Sequence, residues 1–217
     1  MTHVVSPDAT ARRSARLGLA AAVSFVLGGG LFALGALLAQ MGTTDLLTVD
    51  VTYLVGGFFF SLGGWVSVVL AAGVGARARR SAVVLFVGTL FFAVSLVAAF
   101  FAGLTPRQSD GWIWLPDIIG CCCFLASGRL ALLDLGAGGT RVLPHLLAWW
   151  VAAVNQLGSV LFFLAGLAAF VRPATDQVVN VGLVNWGTFA GASCFLAAGV
   201  LQAIDIRTSR RTDGTTP

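Results

Sequence analysis

Long apolar segments alternate with short polar ones along the whole chain. A helix needs roughly 20 apolar residues to cross a bilayer. Six segments reach that length, and the pattern predicts membrane-spanning helices at about 17–40, 51–74, 82–104, 116–135, 144–171 and 181–204. We expect one transmembrane domain over residues 17–204, preceded by a cytoplasmic N-terminal tail at residues 1–16. The polar residues 205–217 are expected to form a disordered cytoplasmic tail.

Each apolar segment carries the same triplet, with glycine at position i, phenylalanine at i+4 and a small residue at i+7. At about 100° per residue these positions lie within about 60° of one another, so they share one helix face. The chain has 27 glycine and 16 phenylalanine residues. With this composition, chance predicts about one such triplet in the whole chain. The presence of one triplet in every segment therefore indicates a repeated unit. The triplets are Gly28/Phe32/Gly35, Gly56/Phe60/Gly63, Gly88/Phe92/Ser95, Gly120/Phe124/Ser127, Gly158/Phe162/Ala165 and Gly191/Phe195/Ala198.

Small residues let helices approach closely in lipid, so the glycines and phenylalanines of the triplets are predicted to be helix-packing residues. The glycines recur once per helix and loop. We therefore predict an all-α, polytopic membrane protein, a bundle of six transmembrane helices built from three similar helical hairpins. Corresponding helices of the hairpins would be parallel and related by a pseudo-threefold axis. Gly28, Gly88 and Gly158 would then coincide when the hairpins are superposed.

Composition supports a membrane protein. The chain is 58% hydrophobic and 10% charged, whereas about 25% of the residues of a soluble domain are charged. All 13 basic residues are arginine and all 9 acidic residues are aspartate, which we interpret as a GC-rich bacterial coding bias. The net charge of +4 comes from short arginine clusters beside the membrane, so no nucleic-acid partner is expected.

The arginines are distributed unevenly between the two sides of the predicted membrane. Arg107 and Arg172 fall on one side, and the other eleven fall on the side that holds both termini. The positive-inside rule therefore predicts a multi-pass plasma-membrane protein with both termini in the cytoplasm. The expected partners are membrane lipids and, as alternatives, a second copy of the chain or other membrane proteins.

The last two predicted helices resemble a known type of membrane-protein segment. Its distinctive residues are Asn155, Gly158, Ser159, Phe162, Asn185, Gly187, Thr188, Gly191, Ala192, Cys194 and Phe195. Together with LPDIIGCCCFLASGRLALLD of the fourth helix, they resemble uncharacterised actinobacterial membrane proteins with YrhK-like helical hairpins. The resemblance covers residues 112–204, and the first three helices share only its Gly/Phe periodicity. It implies an integral membrane protein without an established activity or catalytic residues.

No residue pattern indicates catalysis. Cys121, Cys122 and Cys123 are consecutive, so their side chains point about 100° apart on a helix and cannot bind one metal ion together. The segment Gly191–Phe195 falls short of the G-x-S-x-G pattern, and no histidine is expected near Ser193. We therefore predict no enzyme activity, no cofactor and no metal, and interpret the cysteines as packing residues.

Four polar side chains inside the predicted spans form a possible polar site: Asn155, Gln156, Asn185 and Asp117. Asn155 is the deepest of them when counted from Pro144. We expect it to face inward and to form a hydrogen bond with the sixth helix around Thr188–Gly191. Alternatively, Asn155, Gln156 and Asn185 line a polar pathway.

Asp117 directly follows Pro116, which suits the first position of a helix. In the first turn the helix dipole favours a carboxylate, so Asp117 is expected near the outer surface. The alternative is a carboxylate that relays protons within the membrane.

The function predicted from these observations is that of a structural or accessory membrane component, since few ionisable groups lie in the spans. The alternative is a transporter or channel for a small solute, an ion or a lipid, since transporters commonly contain internal repeats. A continuous polar cavity that reaches the middle of the membrane would favour transport.

Overall fold

The fold is almost entirely helical. The computed structural model describes residues 7–42 and 44–213, with side chains over residues 10–42 and 44–209. Its helices are α1 (Pro7–Met41), α2 (Leu46–Ala71), α3 (Ala76–Ala98), α4 (Pro106–Ser109), α5 (Leu115–Leu135), α6 (Leu147–Ala168) and α7 (Val181–Asp213). A π-helical turn at Asp110–Trp114 joins α4 to α5, and two short antiparallel strands, β1 (Val171–Arg172) and β2 (Gln177–Val178), join α6 to α7.

The predicted six-helix membrane architecture is confirmed. Six helical segments are long and apolar enough to cross a bilayer. The outward faces of these helices carry large exposed apolar side chains, including Phe58, Trp65, Val97 and Trp186. An apolar surface of this extent requires lipid around it. The chain is therefore a multi-pass integral membrane protein.

The two terminal helices are longer than the hydrophobicity pattern predicts. α1 begins at Pro7 and includes most of the polar stretch assigned to a tail. α7 continues to Asp213, so the prediction of disorder is wrong for residues 205–213, and residues 214–217 lie outside the described residues. Residues 205–213 contain neither glycine nor proline, the residues that most often end a helix. Hydropathy therefore indicates where a helix leaves the lipid, but the helix itself can continue beyond that point.

The segment before α5 also differs from its prediction as a loop. Thr105 caps α4 in a capping box with Gln108, and Pro106 occupies the first turn. The backbone N–H of Leu115 donates to the carbonyl of Asp110, five residues earlier. This wide π turn accommodates Pro116, which has no N–H to donate. The helical path therefore runs continuously from Pro106 to Leu135.

Smaller shifts affect three other boundaries. α2 begins at Leu46 because Asp45 accepts a hydrogen bond from the N–H of Thr48 at 2.9 Å. The N–H and hydroxyl of Thr48 also hold the pKa of Asp45 below its ordinary value. α3 ends at Ala98, before the left-handed Gly103, and α6 begins at Leu147, three residues after Pro144.

The six spanning segments form a closed ring in chain order. Each packs against the next, and α7 packs back against α1. The start of α1, the end of α7 and the loops after α2 and α5 lie at one end of the ring, which we call the terminal end. The loops after α1, α3 and α6 lie at the opposite end, the distal end.

Three antiparallel hairpins in this ring make the same contact. A Cβ atom at Gly56 would lie 3.3 Å from the carbonyl oxygen of Gly28. The corresponding distances are 3.0 Å from Gly120 to Gly88 and 2.9 Å from Gly191 to Gly158. Any side chain at these positions would push the two helices apart. The crossings α1/α2, α3/α5 and α6/α7 therefore all rest on the predicted glycines.

The phenylalanines of the triplets fill the centre of the ring in two layers. In the distal aromatic layer (Phe32, Phe92, Phe162) the ring centroids are 5.9–6.2 Å apart. In the central aromatic layer (Phe60, Phe124, Phe195) they are 5.3–6.2 Å apart. All six side chains are at most 6% exposed.

The spacing of the triplet explains why there are two layers. Two antiparallel helices run through their triplets in opposite directions along the bundle axis. The phenylalanine of one helix therefore lies at the same height as the glycine of the other. Phe60 lies against Gly28, and Phe32 lies against Gly56. Each layer therefore alternates phenylalanine and glycine around the ring, about 6 Å from the next layer along the axis. Six rings in one layer would not fit.

Candidate functional site: a cavity above the distal aromatic layer

A cavity of about 230 Å³ lies in the distal half of the ring. The distal aromatic layer forms its floor, and the π turn before α5 contributes to its wall through Ile113 and Trp114. Phe162 lies six residues before the end of α6, which places the floor about 9 Å inside the spanning helices. The cavity therefore extends from the distal end towards the middle of the bundle.

The polar lining of this cavity comes mainly from one position of the repeated unit. Tyr53, Asp117 and Thr188 each lie three residues before a triplet glycine on a helix that runs from the distal end, and all three line the cavity. Asp50 lies one turn closer to the distal end on the same face as Tyr53. Ser95, the small residue of its triplet, faces them from α3. The repeated register thus collects polar groups at one level of the ring.

Asp117 lies against α6. Its Oδ2 is 3.0 Å from the position that a Cβ atom of Gly166 would occupy. Within residues 10–42 and 44–209, no arginine or histidine lines the cavity, and no hydrogen bond or ion pair is found for the Asp117 side chain. The expected position in the first helical turn is not found, because the helical path starts at Pro106. The carboxylate faces the cavity.

The hydroxyl of Ser95 is also available to the cavity. Serines in spanning helices can bond to a carbonyl of their own helix, as Ser67, Ser159 and Ser193 do here, whereas the buried Ser61 hydroxyl has no partner among the described residues. Ser95 is 6% exposed, and no hydrogen bond of its hydroxyl is found in the described part of the chain. A buried polar group of this kind calls for a partner inside the cavity.

The mouth of the cavity is held in place by contacts with the π turn. The Trp114 Nε1–H donates to the carbonyl of Gly166 at 2.9 Å, and Trp114 packs edge-on against Phe170. Asp110 accepts a hydrogen bond from the N–H of Val171 at 3.0 Å. π-helical turns often occur at functional sites. These contacts tie the entry to α5 to the end of α6 on one side of the cavity.

The four residues proposed as one polar site are not brought together. Asp117 lines the cavity, whereas the buried Asn185 donates from Nδ2 to Gln40 Oε1 at 3.2 Å, nearer the distal end. Gln156 packs against Gly128, and its buried Oε1 has no partner among the described residues. A continuous pathway lined by Asn155, Gln156 and Asn185 is therefore not present.

The expected hydrogen bond from Asn155 to Thr188–Gly191 is also not found among the described residues. α6 begins at Leu147, so Asn155 is about 12 Å from the terminal end, and Thr188 is about 10 Å from the distal end. Because Gly191 lies level with Phe162, Thr188 is about 4.5 Å on the distal side of Phe162 and Asn155 is about 10 Å on its terminal side, so the two levels differ by about 15 Å. By register, Asn155 is equivalent to Phe25, below the central aromatic layer. Asn155 and Thr188 thus lie on opposite sides of the aromatic layers.

The cysteines are all free thiols, of which Cys121 is buried and Cys122 is exposed. Cys123 packs against Gly88, and Cys194 packs against Gly158. Among the described residues, no group of three or more His, Cys or Asp side chains could hold a metal ion. These positions agree with the packing interpretation of the cysteine run.

Comparisons with known proteins do not assign the chain to a family. No family model, curated protein sequence or solved structure matches the chain. The resemblance of residues 112–204 to actinobacterial proteins with YrhK-like hairpins stays a prediction.

Sequence reasoning missed most of the cavity. Tyr53, Thr188, Asp50 and Ser95 were not recognised as one group because they lie on different helices. The signal was nevertheless present: three residues before the triplet glycine, the even-numbered segments carry Tyr, Asp and Thr. Aligning the segments on their triplets would have placed these three side chains at one level.

Proposed function

We propose that this integral membrane protein is a transporter that binds a small positively charged solute in the distal cavity. The observation that carries the proposal is the position of Asp117. Its carboxylate faces a cavity that is closed at its base by the distal aromatic layer, and no basic side chain of the described structure lines this cavity. An ionised carboxylate inside a membrane protein requires a counter-charge. Ionisable residues within membrane-spanning helices commonly mark ion or substrate pathways. A cationic solute would supply the missing charge.

The arrangement of the hairpins supports transport over simple binding. Three hairpins with the same crossing surround the cavity, and repeats arranged around a central site are common in transporters. We propose that the hairpins derive from one repeated unit related by a pseudo-threefold axis. Asn155 supplies a polar group on the opposite side of the aromatic layers. Movement of the hairpins that parted the two layers would join these sides.

A structural or accessory role is the second candidate, and the aromatic layers favour it. Six phenylalanines packed at 5.2–6.2 Å close the centre of the ring. A ring that never opened would serve as a rigid membrane scaffold. The two candidates differ in whether a cation crosses the membrane.

Asp117→Asn is expected to abolish cation transport. Purified protein would be reconstituted in liposomes, and currents would be recorded on a solid-supported membrane after jumps of H⁺, Na⁺, K⁺ or methylammonium. We expect the natural chain to give a current with at least one of these cations, and Asp117→Asn to give none, because the amide cannot balance a positive charge.

Asp134→Asn is the matched control, since Asp134 is an exposed residue of the same helix at the terminal end. It is expected to leave the current unchanged. Currents that persist in Asp117→Asn would disprove the assigned site. No current from the natural chain with any of the four cations would favour the scaffold.

We also propose that the protein lies in the plasma membrane with both termini in the cytoplasm. Eleven of the 13 arginines belong to the terminal end, which supports this orientation. In a variant without the four native cysteines, Ala174→Cys is expected to react with an impermeant maleimide added to intact cells. Thr140→Cys is expected to react only after permeabilisation, and the reverse pattern would invert the topology.

A further inference from the structure

We infer that the solute of the distal cavity is a primary alkylammonium ion of a few carbon atoms. This inference rests on the proposed cation-binding function and specifies its substrate class. The ammonium group would lie at the level of Asp117, and the hydrocarbon chain would lie on the distal aromatic layer.

The polar groups of the cavity are suited to an ammonium head. A primary ammonium has three N–H donors and no acceptor, as in lysine. The carboxylates of Asp50 and Asp117 only accept hydrogen bonds when ionised, and the hydroxyls of Tyr53, Ser95 and Thr188 can accept them as well. Ser95 is the most telling of these, because its side chain is 6% exposed and lines the cavity, and no hydrogen bond of its hydroxyl is found among the described residues. Acceptors at one level of the cavity thus exceed the donors that the chain supplies there.

The rest of the lining is suited to a hydrocarbon chain. Below the polar level the cavity is bounded by the rings of Phe32, Phe92 and Phe162, and Leu96 and Val184 line it at and beyond that level towards the distal end. Aromatic rings also attract organic cations through their negatively polarised faces. An inorganic divalent cation prefers six or more oxygen ligands, which this mainly apolar wall does not offer. An anion would face two carboxylates and no basic side chain.

The size of the cavity limits the length of the hydrocarbon chain. Its volume of about 230 Å³ is below the range of roughly 300–1,000 Å³ typical of sites for drug-sized ligands. It is nevertheless well above the roughly 10–15 Å³ that a cavity needs to hold one water molecule. A short hydrocarbon chain therefore fits this volume.

Binding to the full-length protein in detergent micelles, measured by calorimetry, tests the inference. The probe is n-propylammonium, with 1-propanol, propionate, tetramethylammonium and Na⁺ as comparisons. We expect n-propylammonium to bind at least about tenfold more tightly than each comparison, because only it combines positive charge, N–H donors and a short chain. Tighter binding of tetramethylammonium or Na⁺ would overturn the inference.

Variants locate the binding. Asp117→Asn is expected to weaken propylammonium binding by at least about tenfold, and Ser95→Ala by a few-fold. Ser67→Ala, whose hydroxyl bonds to Gly63 of its own helix, is expected to have no effect. If a variant does not fold, the ligand series on the natural chain still decides.

The failure of the inference can be told apart from the failure of the proposed function. An Asp117-dependent current with H⁺, Na⁺ or K⁺, without propylammonium binding, would leave a cation transporter of another specificity. Neither propylammonium binding nor a current with any cation would overturn both proposals.

Discussion

Gly29→Ala is expected to be the most destabilising single-methyl addition within the glycine run of α1. A Cβ atom at Gly29 would lie 2.7 Å from the backbone nitrogen of Leu196 and 2.9 Å from the carbonyl oxygen of Ala192. Both atoms belong to the backbone of α7, so α1 and α7 would have to separate. Overpacking of this kind costs about 1–3 kcal/mol. The measurement is thermal unfolding of the purified protein in detergent.

The neighbouring glycines are matched controls on the same helix. A Cβ atom at Gly28 would meet the ring of Phe60, which can move, as well as the carbonyl oxygen of Gly56 at 3.0 Å. At Gly30 the nearest atom would be Leu196 Cδ1 at 3.5 Å, an ordinary contact. We expect the loss of stability to decrease from Gly29 to Gly28 to Gly30, with little loss at Gly30. Equal losses at all three positions would contradict the close crossing.

Phe195→Ala is expected to lower the free energy of unfolding by about 2–3 kcal/mol. In soluble proteins the change costs about 3–5 kcal/mol, part of it from transfer of the ring to water and part from the cavity left behind. In a bilayer the unfolded reference exposes the ring to lipid, which is as apolar as the core. The cavity and the lost contacts with Phe60, Phe124 and Phe162 therefore dominate.

Phe58→Ala provides the comparison, because Phe58 is 65% exposed on the lipid-facing surface. We expect its unfolding to differ little from that of the natural chain. Chemical unfolding in mixed micelles, followed by tryptophan fluorescence, measures both variants. A loss at Phe58 as large as that at Phe195 would show that bulk apolarity, and not the aromatic layers, stabilises the ring.

The sequence was sufficient to predict the packing but not the cavity. Every spanning segment repeats the glycine and phenylalanine of one face, and periodicity of this kind is visible without coordinates. Asp117 was assigned to the first turn of a helix because Pro116 looked like a helix start, whereas the helical path begins at Pro106. The π turn that absorbs this proline depends on backbone geometry that no residue pattern indicated.

The second feature that the sequence did not predict is the relative height of residues on different helices. Asn155 and Thr188 both looked mid-membrane when counted from assumed helix ends, but the ends at Leu147 and Ala168 place them on opposite sides of the aromatic layers. Depth counted along one helix carries the error of its boundary. Contacts of Gly158 with Gly191 fix the register directly.

The adjacency of the first and last helices has a consequence for how the chain can be rearranged. Every helix is followed around the ring by its neighbour in sequence, and α7 is followed by α1. The start of α1 at Pro7 and the end of α7 at Asp213 both lie at the terminal end, as does the loop of residues 72–75. A linker joining the ends, with a new opening at that loop, would create a circularly permuted polypeptide with every interhelical contact preserved. The contacts of the ring do not determine which hairpin comes first in the chain. The observed order is one of three cyclic orders of the hairpins that would give the same neighbours.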